Sequence, residues 1–125
     1  MSGLVLDSGA LIAFERSKRR VVVLLARALE LRAGLRIPAG VVGQVWRDGR
    51  KQVRLARLLA SPAIHIDPLD DESARAAGQL CGVRRTADVI DASVVLCARN
   101  HGYRVVTADV ADIRHLDPSL RIVHV

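Results

Sequence analysis

Four aspartates carry most of the chemistry open to this chain. Asp88 and Asp91 stand three apart in TADVIDASVV, Asp109 follows RVVTA, and Asp7 follows LVL near the start. Asp112 lies three residues beyond Asp109. Ligand sites in open parallel sheets form at the carboxyl ends of the strands, where Asp7 and Asp109 are expected. A helix starting near Asp88 precedes the second of these strands. If it crosses antiparallel to that strand, its first turn returns to the same edge, with Asp88 and Asp91 on one helical face. Carboxylates crowded in this way repel, and either some take up protons or a cation neutralises them. Oxygen ligands without His or Cys favour Mg²⁺ or Mn²⁺ over zinc. Such an ion activates a water and stabilises a phosphodiester under attack. Capping is the simpler account for Asp88, Asp91 and Asp109. Asp7, between a buried strand and Ser8-Gly9, is the hardest to explain that way.

The remainder of the chain must position these groups. Its 125 residues suffice for one domain, here expected over 1–125, with a core of Val, Leu, Ile and Ala because only Phe14, Trp46 and Tyr103 are aromatic. That scarcity argues against modules that stack several bases on aromatic rings. Lys and Arg number 19 against 13 Asp and Glu, a net charge of +6, and most of the cations are Arg. With a pI near 10.6, a polyanionic partner is expected. An acidic cluster on a basic protein is the contrast that a metal-dependent nuclease requires. Cys81 and Cys97 read as buried free thiols in a reducing cytosol, not as a disulfide or a zinc site. The four His show no metal spacing and receive no catalytic role. With no basic segment leading an apolar run and no membrane-spanning stretch, a cytoplasmic protein is expected.

Strands are expected at Leu4–Leu6, Leu35–Ile37, Ala63–Ile66 (an edge strand), Arg104–Thr107 and Arg121–Val125. Helices are expected at Ala10–Glu15, at Val21–Ala33 with Gly34 as C-cap, and at Ala39–Trp46. Further helices should cover Arg50–Ala60, Asp70–Cys81 running to Gly82, and Ala87–Asn100, with one turn at Asp112–Leu116. Strands alternating with helices imply a three-layer α/β/α sandwich with a mainly parallel central sheet. Trp46, next to Arg47, is expected in the core, with a partner-facing anchor as the alternative.

LVLDSGALIAF, IPAGVVGQVWRDGRKQVRLARLL, ADVIDASVVLCARNHG and VVTADVADI, in this order and spacing, resemble the PIN domain, most closely the VapC-type toxins of bacterial toxin–antitoxin pairs. The likeness covers essentially the whole chain. It implies a Mg²⁺- or Mn²⁺-dependent endoribonuclease, a homodimer, and a cognate antitoxin whose tail covers the active site. On that resemblance Asp7, Asp91 and Asp109 match the first, third and fourth family acids. Asp88 and Asp112 match accessory acids, with Asp88 also a metal ligand, and Thr107 matches the small hydroxyl residue before the last acid. The second acid, usually Glu, is here Gln44, which keeps an oxygen but no charge. Asp88 is the candidate to supply the missing charge. Arg47, Arg50 and Arg85 are the expected phosphate contacts, although a basic run is more often only a solvated face.

Two rivals remain. An inert PIN-like module, disabled at Gln44, would act through RNA or protein contacts. A phosphohydrolase of the haloacid-dehalogenase type needs a second Asp two residues after the first, where this chain has Gly9. A response-regulator receiver would need an acidic pair before the first helix and a Lys after a late strand, and neither is present.

Overall fold

The computed structural model describes residues 3–125. Five short strands form one parallel sheet: β1 (Leu4–Leu6), β2 (Leu35–Pro38), β3 (Ile64–Asp67), β4 (Arg104–Thr107) and β5 (Ile122–His124), in the order β3-β2-β1-β4-β5. β1 is fully buried, as expected of an all-apolar central strand covered on both faces. Seven helices flank the sheet. α1 (Ser8–Glu15) packs against α2 (Arg19–Glu30), α3 (Ala39–Val45) and α4 (Val53–Ala60). α5 (Asp71–Arg84), α6 (Val89–His101) and α7 (Val110–Leu116) pack among themselves. The three-layer α/β/α expectation therefore holds, and the sheet is parallel throughout.

The chain builds β1, β2 and β3 outward on one side, then returns to place β4 on the other side of β1. Strand order reverses between β1 and β4, so a crevice opens at their carboxyl ends. There Leu6 pairs with Val106, and the Asp7 amide donates to the Val106 carbonyl at 3.2 Å. α1 crosses closely above this point: a Cβ on Gly9 would stand 3.0 Å from the Ala108 Cβ. Small residues at both positions let the loops after β1 and β4 lie against each other.

Several boundaries differ from the sequence expectations for local reasons. α2 stops at Glu30, and Arg32, not Gly34, takes the left-handed conformation (φ 52°). α5 runs through Gly82 to Arg84 and is capped by left-handed Arg85 (φ 57°). α4 begins only at Val53 because Gln52 holds the preceding turn. Its side-chain oxygen accepts from the Arg47 and Asp48 amides, and its nitrogen donates to Glu15 and the Val45 carbonyl. Trp46 is not in the core: it is 38% exposed, with its ring over Gly49. α6 ends on left-handed Gly102 (φ 66°), a conformation glycine adopts without strain.

Tyr103 closes the opposite end of the sheet. Its side chain lies so close to Gly3 and Gly34 that an added Cβ would stand 2.3 Å from the ring at Gly3 and 2.0 Å from the hydroxyl oxygen at Gly34. Gly34→Ala is expected to destabilise the fold by about 1–3 kcal/mol through overpacking. Urea denaturation should show that loss, and Tyr103→Leu in the same chain should recover part of it through non-additive coupling.

Candidate active site

Asp7 leaves β1 only 4% exposed and begins α1 as its N-cap, with Oδ1 accepting from the Ala10 amide at 2.9 Å. Burial raises its pKa, and the Asp109 charge adds to the rise. The Thr107 hydroxyl and the Ala10 and Gly9 amides work in the opposite direction. Thr107, fully buried at the end of β4, accepts the Asp109 amide on Oγ1 at 2.8 Å. One hydroxyl therefore links the ends of both strands. Asp109 begins α7 without capping it by its side chain, which leaves that carboxylate exposed.

α6 supplies the other wall. Asp88 is its N-cap, and its Oδ1 accepts the Asp91 amide at 2.9 Å. The capping reading of Asp88 is thus correct, yet the cap also aims a second carboxylate at the crevice. Asp91 is half-buried, and its pKa is pushed up to about 7. Desolvation is the main cause, followed by repulsion from Asp88, Asp7 and Asp112. Asp112, in the first turn of α7, is raised by its hydrogen bond to Asp109 and by that residue's charge. Five acids from three loops therefore sense one another's charge. A cavity of about 160 Å³ bounded by Thr86, Asp88, Asp91, Asp112, His115 and Leu116 opens among them.

A hard divalent cation fits this donor set. Among the described residues no Lys, Arg or His nitrogen lies within 4.0 Å of these five carboxylates, although the protein carries +6 overall. Desolvation, hydrogen bonding and mutual repulsion raise Asp7, Asp91 and Asp112, and a bound cation would displace the protons this favours. No three of these acids, among the described residues, bring their oxygens within 4.8 Å of one another. Among the described residues, the group of three metal-type donors lying within 4.8 Å of one another is Asp67, Cys97 and His101. That cluster escaped the sequence analysis, which gave Cys97 and the histidines no such role. The available signal was the Cys97–His101 spacing of four on one helix face, but Asp67 arrives from a different strand.

The remaining expected residues come from α3, the turn after it and the end of α5. Gln44 is exposed on α3, one turn beyond Gly40, whose backbone packs on Ile90 of α6. Its side chain makes no hydrogen bond to the acids. Arg47 turns its guanidinium back onto the Gly43 and Trp46 carbonyls, and Arg50 is exposed in the turn that follows. Arg85 is exposed beside Thr86, which lines the acidic cavity. The α5–α7 contact that frames this cavity is a reciprocal pair. Arg84 Nε donates to the His115 carbonyl at 2.8 Å, and His115 Nε2 lies 2.6 Å from the Arg84 carbonyl.

No curated protein matches the chain. Among solved structures, a toxin–antitoxin complex from Klebsiella pneumoniae aligns with a TM-score of 0.69 at 19% identity, over 98% of this chain and 96% of the other. VapBC2 from Rickettsia felis, bound to a fragment of its promoter DNA, aligns at 0.73 and 10% identity over 98% of both chains. Mycobacterium tuberculosis VapC20, a sarcin–ricin loop cleaving toxin, aligns at 0.62 and 15% identity, over 85% of this chain and 88% of that one. These likenesses are of fold. A family model for the PIN domain matches residues 4–117, and the chain belongs to that family.

Proposed function

We propose that this chain is a Mg²⁺- or Mn²⁺-dependent endoribonuclease, the toxin of a type II toxin–antitoxin pair, acting in the cytoplasm. The observation that carries this reading is the convergence of Asp7, Asp88, Asp91, Asp109 and Asp112 at the strand-order reversal, with Asp91 driven up to about 7. Asp7, Asp91 and Asp109 would hold the cation, with Asp88 adjoining. Asp112, Thr107 and Gln44 are accessory. A bound divalent ion supplies Lewis-acid stabilisation of charge on a phosphodiester under attack. The Ala10 amide and the Thr107 hydroxyl orient Asp7 and the Asp109 loop, so these groups need no reorganisation when RNA arrives. Arg85, and Arg47 and Arg50 further out, offer guanidinium groups to the flanking phosphates. By analogy with the solved toxin–antitoxin complexes, its partner would be an antitoxin; the family resemblance implies that the antitoxin covers this edge and that the toxin is a homodimer.

RNA cleavage should stop with EDTA and return with Mn²⁺ or Mg²⁺. Asp7→Asn should lower the rate by roughly a hundredfold or more, measured on a labelled RNA. A variant as fast as the wild type would sink the proposal.

Gln44 motivates the rival of an inert binding module. Five carboxylates still interact without it, which favours the enzyme. Gln44→Glu should therefore raise an existing activity through tighter cation binding. Cleavage that appears only in Gln44→Glu would favour the rival instead.

Asp91 also predicts a pH dependence. Its pKa rises from 3.8 to about 7 on folding, so the protonated group favours the folded state below 3.8, and that contribution is lost as pH climbs through about 7. Asp67 and Asp117 are held low by hydrogen bonds and Arg partners, and their effect falls below this window. Without divalent ions, melting temperature should fall between about pH 5 and about pH 8. Mn²⁺ should raise it more at the upper end, and Asp91→Asn should flatten the profile.

A further inference from the structure

Two turns along α6 from Asp91, a different set of donors meets. Cys97 Sγ lies 3.0 Å from Asp67 Oδ2, at the end of edge strand β3. A ring nitrogen of His101, the last residue of α6, completes a group whose donor atoms all fall within 4.8 Å of one another. The other Asp67 oxygen is engaged by Arg36 Nη1 at 2.6 Å, with His65 Nε2 at 3.5 Å. Oδ2 is therefore the oxygen that faces the sulfur. His101 Nδ1 stands 2.9 Å from the Cys97 carbonyl. A carbonyl can only accept, so Nδ1 carries the hydrogen and Nε2 keeps the lone pair. Metal-ligating histidines are commonly held in this way.

A cavity of about 160 Å³ lies against two of the three donors, bounded by Pro38, Asp67, Leu69, Ser73, Leu96 and Cys97. It provides an entry path and room for a water as a fourth ligand. Zinc bond lengths of about 2.3 Å to sulfur and about 2.0 Å to oxygen or nitrogen place tetrahedral ligands about 3.3–3.6 Å apart. The Cys97–Asp67 pair already sits within half an ångström of that spacing. The exposed His101 ring is the part that must adjust.

We propose that Asp67, Cys97 and His101 form a second cation site, of the zinc class and separate from the acidic edge. Thiolate and imidazole select a borderline-soft ion and discriminate against Mg²⁺. Burial and the neighbouring carboxylate keep the Cys97 thiol protonated in the free site. Binding therefore replaces the S–H bond with a Zn–S bond and releases one proton to solvent. Arg36 remains on Asp67 Oδ1 and leaves Oδ2 for the ion. The bound ion ties the edge strand β3 to α6, the helix whose first turn carries Asp91.

Cobalt(II) serves as the spectroscopic stand-in for zinc. The EDTA-stripped full chain, titrated with Co²⁺ in excess Mg²⁺, should develop a near-ultraviolet thiolate-to-cobalt charge-transfer band at one equivalent. Formation of the band should release one proton, and Zn²⁺ should then abolish it by displacing Co²⁺ without further proton release. Cys97→Ser should remove it and Cys81→Ser should leave it intact, while His101→Ala and Asp67→Asn should weaken Co²⁺ binding by about tenfold or more. His101 is exposed, so its variant reports on binding even if a core substitution impairs folding. The proposal is overturned if no charge-transfer band forms, if the band follows Cys81, or if it persists undiminished in both His101→Ala and Asp67→Asn. Cys81 is the thiol that senses Asp88 and Asp91 at the acidic edge, so Cys81→Ser separates a signal arising there from one at Cys97, and the spectroscopic outcome is independent of nuclease activity.

Discussion

The Asp7 amide donates to the Val106 carbonyl at 3.2 Å, at the last rung of the β1–β4 ladder. Much of the functional architecture depends on that pairing. It carries a carboxylate from the central strand to the point where the sheet reverses its order, and it presses the two following loops together. Gly9 and Ala108 keep those loops close, and the Thr107 hydroxyl links them. Moving β1 by one residue relative to β4 would turn its side chains to the opposite face. The apolar core and the acidic edge are therefore specified by the same register.

Electrostatics there runs against the rest of the molecule. A chain with +6 net charge gathers five aspartates and leaves them without a paired cation among the described residues. Elsewhere Asp67, Asp71 and Asp117 have Arg partners. Asp117 is buried but held by Arg99 at 2.6 Å and by Ser119, which keeps its pKa low. Asp67 is likewise held low by Cys97 and Arg36. The fold can pair a buried carboxylate, and at the acidic edge it does not. There, burial and crowding instead raise the pKa values of Asp7, Asp91 and Asp112.

How much of this could be read from the sequence depended on the range of the signal. Strands written as short apolar runs, such as LVL and the Val pair of RVVT, and helix starts marked by Asp70 and Asp88 are local patterns that match the structure almost to the residue. Helix ends were less legible because Arg32 and Arg85 took left-handed conformations usually given to glycine, and Gly82 stayed helical. Trp46 was assigned to the core by residue type alone, and the turn held by Gln52 leaves it at the surface. The acids could be foreseen together because each sits at an element end that the parallel topology sends to one edge. Asp67 could not be foreseen beside Cys97, since that contact depends on how an edge strand lies against a helix 30 residues later.

The pairing of Leu4 with Arg104 joins residues 100 positions apart. Loop closure over that length is costly, and the contacts that repay it form only when α6 and β4 are both available. During synthesis, β1 through β3 can be complete while Asp7 still has no neighbour from β4. The acidic edge comes into being only after Asp109 has been added, near the end of a 125-residue chain. A truncated or still-emerging polypeptide thus carries Asp7 without its partners, so chain connectivity keeps unfinished copies from assembling the edge.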